Sequence, residues 1–484
     1  MNYRMLVYVM GRILRAEGLL MIFPFIVSLI YGEKSGFAFA VVIISLLLIS
    51  TIISTNPPEK SFMRPKDGFA AVGIAWLLLS FFGCLPFYIS GQIPSFIDAF
   101  FETVSGFTTT GSSILTEVES LDRGMTFWRC FTNWIGGMGI LVFVLAILPQ
   151  SDMKSTRMMH IMRAESPGPN VGKLVPKLKQ TATIMYAIYI VLTTIEFILL
   201  LIGGMPFFDS LCHSFATAGT GGFSIKNAGI ATYGSPYIEI VITVFMILFS
   251  VNFNIFYLII TGNILRAVKS EELWAFLGII AFSIATITIN VSSMYESIGD
   301  AIRDSAFSVA TVISTTGFAT ADFDKWPPFS QVILVLLMFI GGCAGSTCGG
   351  LKISRLILLI KNGLREIKYI FQPNSVYSIR FEGKPVEKDT VRSVTNYFFI
   401  YIALFTIFLI AISAIESVDI ITAFTSVAAT FNNIGPGLSI VGPTGNFSSF
   451  SPLSKFIFSL AMLTGRLELF PIITLFAPST WKKV

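Results

Sequence analysis

Charge is scarce in this chain. Asp, Glu, Lys and Arg make up 13% of its 484 residues against 54% apolar, and the mean hydropathy is +0.77. A soluble domain carries about 25% charged residues, so the chain reads as an integral membrane protein. Histidine is nearly missing, and His160 and His213 are too few for a His-based zinc or iron site. The five cysteines, Cys84, Cys130, Cys212, Cys343 and Cys348, form no CxxC pair and lie in or beside apolar segments. A cysteine there behaves as a small hydrophobe, which argues against a disulfide framework or metal site. Walker A and GxGxxG motifs are absent, so no nucleotide site is expected in this chain. HExxH, GxSxG and paired intraspan aspartates are absent too, leaving a membrane enzyme poorly supported. Arg4, Arg12 and Arg15 precede an apolar stretch without a small-residue cleavage site, so the first run is expected to be a retained helix.

Long apolar runs are what the chain has in abundance. Ten are expected to span the membrane: 18–31 (extending back over 6–14), 37–54, 69–89, 127–148, 181–202, 237–260, 273–291, 332–359, 397–415 and 455–475. With the N-terminus inside, 25 of the 33 Lys and Arg fall on the cytoplasmic side. That asymmetry orients the chain, with both termini cytoplasmic.

Polar segments fall on the outer side after spans three, five, seven and nine. Aligned on one glycine they read DAFFETVSGFTTTGSS (Gly111), DSLCHSFATAGTGGFS (Gly222), DSAFSVATVISTTGFA (Gly317) and ITAFTSVAATFNNIGPG (Gly435). Asp98, Asp209 and Asp304 each precede their glycine by 13 residues, while Asp419 stands 16 ahead. The period near a hundred residues marks an internal repeat of helix, re-entrant segment and helix. Ten helical residues rise only about 15 Å, so each segment must enter and leave on the same face. Aspartate suits such a helix's N-terminus, where it meets free N–H groups and the positive dipole end. The non-helical residues that follow, Thr108–Ser112 in the first copy, have no backbone partner in lipid and must line a polar path. Four such segments around one axis would offer carbonyls and Thr hydroxyls to a cation, with glycine allowing close approach. Plain helix packing through small residues, or ordinary outer loops, is the alternative.

Span eight is interrupted by GGCAGSTCGG, Gly341–Gly350, where five glycines disfavour a continuous helix. A loop at membrane depth must face protein or a wet cavity, and one below the filter could block the path; close helix packing is again the alternative. Arg466 in LTGRLELF is an intramembrane charge needing a partner or water, and Glu468 is too near in sequence to share its helical face. Arg129 and Arg303 are expected near the interface, and Glu196 has no evident partner. The connection 352–392 holds nine basic residues and suits either the positive-inside bias or docking to a soluble partner.

GFTTTGSS, HSFATAGTGGFS, STTGFAT, NNIGPGL, FIGGCAGSTCGGLKISR, RAESPGP and GRLELF together resemble the membrane subunit of Trk-type potassium uptake systems, a superfamily that includes Ktr subunits and plant and fungal relatives. The resemblance spans nearly the whole chain. It implies an all-α membrane protein with four pore repeats in pseudo-fourfold symmetry: an N-terminal two-helix unit (1–67), repeat one (68–150), repeat two (179–262), repeat three with the gate loop (271–360), a cytoplasmic linker (361–391) and repeat four (392–484). Filter residues would be Thr109, Thr110, Gly111, Thr220, Gly221, Gly222, Thr315, Thr316, Gly317, Asn433, Ile434 and Gly435, and gate residues Gly345, Ser346, Thr347, Cys348, Gly349, Gly350 and Arg466. In the gate loop Cys348 departs from the glycine common in relatives, which bears on the loop's flexibility; no segment has the TVGYG of tetrameric potassium channels, so a looser filter with weaker discrimination against sodium is expected. The resemblance further implies potassium uptake through the cytoplasmic (inner) membrane of a prokaryote, no bound cofactor, a homodimer, no nucleic-acid partner and a cytosolic TrkA-type nucleotide-binding ring that meets the linker and the 151–180 loop. Symport coupled to H⁺ or Na⁺, through Glu196 or Glu468, and less selective Na⁺/K⁺ conduction are the other readings.

Overall fold

The computed structural model describes residues 3–55, 65–139, 178–375 and 377–481. The second half of predicted span four, RAESPGP and nearly all of the 151–180 loop lie outside the described residues. An N-terminal unit comes first. Helices α1 (Tyr3–Leu20) and α2 (Ile22–Ile30) form one 28-residue apolar span, against which α3 (Gly36–Ser54) packs.

Four rounds of three helices follow. They are α4 (Pro65–Ile89), α5 (Phe96–Phe107) and α6 (Arg123–Gly137); then α7 (Leu178–Ile202), α8 (Phe207–Gly219) and α9 (Pro236–Ser250) with its continuation α10 (Phe253–Ile260). The third round is α11 (Glu271–Val291), α12 (Ile298–Ile313) and α13 (Pro328–Ile340), after which α14 (Ile353–Phe371) runs on to the linker. The last is α15 (Lys388–Ile415), α16 (Ile420–Phe431) and α17 (Pro452–Arg466), continued by α18 (Phe470–Phe476). Six described helices are long and apolar enough to span, or seven if the bent pair α9–α10 is one span.

The first helix of each round has 21 to 28 residues, but the last, α6, α9, α13 or α17, has only 13 to 15. Fifteen residues rise about 22 Å, short of a hydrocarbon core of roughly 30 Å. This corrects the continuous spans expected over 237–260 and 455–475; α6 likewise ends at Gly137, inside predicted span four. The chain turns 92° between α9 and α10. Between α17 and α18, Glu468 (φ 52°) and Leu469 (φ 70°) take left-handed backbone, fastened by Leu469 N–H to Thr464 O at 2.9 Å and Glu468 N–H to Gly465 O at 3.1 Å. Hydropathy registers apolar composition and is blind to such reversals.

The short helices build a ring. Helix α5 packs between α17 and α6, α8 between α6 and α9, α12 between α9 and α13, and α16 between α13 and α17, so the series closes on itself. Helices α5, α8, α12 and α16 are extensively buried, while long helices such as α15 turn Phe399, Ile407 and Ile410 outward.

Their N-termini differ from the aspartate rule. Ser95 caps α5 and Ser297 caps α12. Asp98 sits in the first turn of α5 and bonds Lys455 at 2.7 Å, and Asp209 of α8 accepts from the Tyr233 hydroxyl at 2.8 Å. Asp304 is not at a helix start, because α12 begins at Ile298; it lies beside Arg303, which also holds Glu239 at 2.7 Å. The segment with the least regular spacing has its aspartate as the N-cap itself. Asp419 accepts from Thr422 N–H at 3.1 Å, and that threonine's hydroxyl and N–H hold its carboxyl below the usual range.

On the cytoplasmic side, strands β1 (Arg380–Phe381) and β2 (Lys384–Pro385) form a hairpin. Its turn residues Glu382 (φ 52°) and Gly383 (φ 73°) both have positive φ, the two-residue geometry whose twist suits a hairpin. Phe381 anchors it against Leu358, Val391 and Val394.

Close packing of the short helices sets a stability test. A Cβ at Gly465 would stand 1.8 Å from Phe431 O, and one at Gly136 1.9 Å from Phe107 O, both backbone atoms at pore-helix ends. Gly465→Ala should cost about 1–3 kcal/mol. Gly363→Ala in α14, with nothing within 4 Å of the added carbon, should be neutral or stabilising. Thermal unfolding in detergent compares the two, and equal midpoints would refute this packing argument.

Candidate functional site

Each pore helix ends in the same way. The residue two before the aligned glycine is left-handed at Thr109, Thr220 and Thr315 (φ 54° each) and Asn433 (φ 56°), and the glycine follows with positive φ at Gly111, Gly222, Gly317 and Gly435. Behind them two hydrogen bonds repeat. Thr110, Gly221, Thr316 and Ile434 donate N–H five residues back, to Ser105, Ala216, Thr311 and Ala429, at 2.8 to 2.9 Å. Thr109, Thr220, Thr315 and Asn433 donate three residues back, to Gly106, Thr217, Val312 and Thr430, at 2.9 to 3.3 Å. This is a Schellman C-cap, normally built on glycine. Left-handed backbone costs a non-glycine residue roughly 1–2 kcal/mol, and three of these four are β-branched. Tertiary packing must therefore enforce it.

The glycines interlock. A Cβ at Gly111 would stand 2.3 Å from Gly221 O, at Gly222 2.0 Å from Thr316 O, at Gly317 2.1 Å from Ile434 O and at Gly435 2.8 Å from Thr110 O. Each segment thus touches the carbonyl of the next in order, and the fourth returns to the first. Ser112 Oγ donates to Gly435 O at 3.0 Å and Asn433 Nδ2 to Thr110 Oγ1 at 2.9 Å, tying the closure. The structure brings all twelve expected filter residues to this ring region, but not with every hydroxyl inward. Thr110 and Thr316 pair with Thr108 and Ser314 hydroxyls at 2.8 and 2.7 Å, bracing the turn. Thr109 Oγ1 and Asn433 Oδ1 are buried without a hydrogen-bond partner among the described residues.

Below the ring the chain leaves α13 at Gly341 (φ 73°) and loops to Lys352 (φ 77°) before α14. Gly349 N–H donates to Thr315 Oγ1 at 2.8 Å, and a Cβ on Gly349 would lie 2.4 Å from Asn432 O, so the loop meets filter segments three and four. Cys343 N–H bonds Ser250 O at 3.0 Å, Thr347 Oγ1 bonds Phe249 O at 3.1 Å and Phe253 N–H bonds Gly345 O at 3.1 Å, fixing it to the α9–α10 break. Cys348 is buried, and its carbonyl accepts from Lys352 Nζ; Ser346 Oγ bonds Cys343 O at 2.6 Å.

Arg466 sits beside this loop. Its guanidinium donates to Thr347 O at 2.6 Å and to Gly137 O at 2.8 Å, and also to Gly136 O. It thereby joins loop, fourth repeat and the end of α6. Glu468, a candidate coupling carboxylate from the sequence, forms an ion pair with buried Arg355, which lies 4.2 Å over the Tyr397 ring. Glu196 is fully buried on α7 beside Thr217 of α8, with no ion pair among the described residues.

Arg129 is enclosed by protein. Its side chain is 3% exposed, 2.5 Å from buried Glu102, with Nη1 donating to Ser224 O at 2.8 Å and the guanidinium 3.7 Å from the Phe223 ring centroid. Glu102 also accepts from Ile114 N–H at 3.0 Å and Ser113 Oγ at 2.9 Å. One ion pair therefore buttresses the exits of segments one and two. Sequence reasoning passed over Glu102, although a carboxylate inside DAFFETVSGF and an arginine in the next span were the available signal. Removing one partner of a buried pair costs about 3–5 kcal/mol. Glu102→Ala should accordingly lower thermal stability sharply, and adding Arg129→Met should recover part of the loss; no recovery in the double variant would show that the two side chains act separately.

A family model described as a cation transport protein, TrkH, matches residues 35–292 and 266–483. The chain is 37% identical over 490 residues to the Trk system potassium uptake protein TrkH of Escherichia coli K12, with full coverage of both, and 36% identical to that of Salmonella typhimurium, again end to end. Its fold is similar to the crystal structure of the potassium transporter TrkH from Vibrio parahaemolyticus, at a TM-score of 0.89 and 32% identity with both chains fully covered. A cation transport assignment thus meets a ring of four interlocking polar turns inside a helical membrane protein, and the chain belongs to the TrkH family.

Proposed function

We propose that this protein takes up potassium through the ring formed by Thr109–Gly111, Thr220–Gly222, Thr315–Gly317 and Asn433–Gly435. The observation that carries the reading is the cyclic contact of each glycine with the next segment's carbonyl. Carbonyls crowded by glycines, with no side chain able to intervene, replace the water shell of a cation. Four helix C-termini behind them add negative potential, and the unpartnered Thr109 Oγ1 and Asn433 Oδ1 suit a cation as third party. No protein group changes protonation in such a passage, and the pairing of Glu468 with Arg355 removes one of the two candidate carboxylates for coupled symport.

In this reading the 341–352 loop is the gate and this conformer is closed. Arg466 holds Thr347 O beneath the filter, where its charge repels cations. Opening requires the Arg466, Thr315 and Phe249 contacts to yield together. The cytoplasmic face, including the linker 361–391, would receive a soluble nucleotide-binding regulatory ring, and the protein would act as a homodimer in the cytoplasmic membrane of a bacterium.

Liposome flux with ion substitution tests the conduction path. Gly111→Ser should lower the K⁺ over Na⁺ permeability ratio, because its Cβ meets Gly221 O at 2.3 Å and its φ is 81°; an unaltered ratio would remove Gly111 from the filter. Deleting Gly345–Gly350 should give flux without any regulator. A pore that stays shut after the deletion would count against the gate.

A further inference from the structure

Beneath the gate loop the cytoplasmic face holds a cavity of about 900 Å³ lined by Asn254, Arg266, Lys269, Glu272, Glu382 and Lys384, with Glu387 at its rim. Two of its carboxylates are already engaged. Glu272, 4% exposed, accepts Ala344 N–H of the gate loop at 2.7 Å. Glu382, at the hairpin turn, accepts from Ser270 Oγ at 2.8 Å and from Glu272 N–H at 3.2 Å. Hairpin, α11 and gate loop are thus joined in series. Arg266, Lys269 and Lys384 form no ion pair among the described residues; Glu272, Glu382 and Glu387 balance them in formal charge, but Glu272 and Glu382 are turned to the neutral donors Ala344 N–H, Ser270 Oγ and Glu272 N–H, which leaves the three cations without a carboxylate partner. The neighbouring surface is apolar and exposed at Ile260, Ile264, Leu265 and Trp274, as expected of a segment lying in the membrane interface.

We propose that this cavity binds a phosphate-bearing anion between Arg266, Lys269 and Lys384 and that the bound anion favours the closed gate. Cations on the 264–269 turn and on the hairpin are drawn to one phosphate, which clamps the two together. The clamp keeps Glu382 on Ser270 and Glu272, and so keeps Glu272 on Ala344. The inference rests on the gate reading above. A lipid headgroup is the source that the exposed apolar rim favours, since anionic lipid attracts basic residues at this depth; a free phosphate compound shares the chemistry.

The test measures regulator-free K⁺ flux of the purified protein in phosphatidylcholine vesicles, in vesicles containing phosphatidylglycerol, and in phosphatidylcholine vesicles with inorganic pyrophosphate on the cytoplasmic side. Quenching of Trp274 by brominated phosphatidylglycerol, with Trp274→Phe as the blank, and equilibrium dialysis of labelled pyrophosphate report binding separately. A several-fold fall in flux with phosphatidylglycerol supports the lipid source, and with pyrophosphate the soluble one. Either effect should vanish in the triple variant R266A/K269A/K384A. Glu272→Ala, or the milder Glu272→Gln, should raise flux whatever the anion. Neither anion binding, or binding that survives the triple variant, would overturn the site. Binding lost in the triple variant while flux never moves would overturn its control of the gate. If Glu272→Ala and the gate deletion also leave flux unchanged, the fault lies in the gate reading instead.

Discussion

Four short helices, α5, α8, α12 and α16, end buried inside the protein, and each must dispose of its terminal carbonyls where neither lipid nor bulk water donates to them. The Schellman turn satisfies two per helix by folding the chain back on itself. The price is left-handed backbone at Thr109, Thr220, Thr315 and Asn433. Outer carbonyls remain, and they are placed against the glycines of adjacent segments. A requirement imposed by the solvent on the backbone thereby produces a ring of oxygens, which is also what a dehydrated cation needs.

The supporting structure follows from that ring. Glycines on α6 and α17 admit the ends of α5 and α16 to within backbone contact. The Glu102–Arg129 pair fastens two segment exits, and Arg466 ties the loop below the ring to the first and fourth repeats. Charges in the membrane interior are expensive, and these are each committed to carbonyls or to an opposite charge. The 341–352 loop is held by contacts from α9, α11, the turn after α12 and α17, so it responds to movement of any of them.

Much of this was legible in the amino-acid sequence. The spacing of Gly111, Gly222, Gly317 and Gly435 and the glycine-rich interruption at 341–350 are composition signals that stand out against apolar surroundings. The turn geometry was not legible, because threonine disfavours left-handed backbone and only packing overrides that preference. The break at Glu468–Leu469 went unread although Pro471, in the first turn of α18, marks a helix boundary there. Asp304 misled through register: it keeps its 13-residue distance from Gly317, yet α12 extends further back and leaves it in mid-helix. Partners distant in sequence, such as Glu102 with Arg129 and Arg355 with Glu468, emerge only once the helices are assembled.

Contact between Gly435 and Thr110 carries a consequence for biogenesis. The two ends of the ring are separated by most of the chain, so during synthesis the first and third turns must wait in the bilayer with one neighbour missing. Loop-closure entropy makes that last encounter the slowest to find. Until α16 arrives, the carbonyls of the earlier segments have to be sheltered by water or by the insertion machinery, and a ribosome stalled before the fourth round would leave an unsealed polar cleft in the membrane.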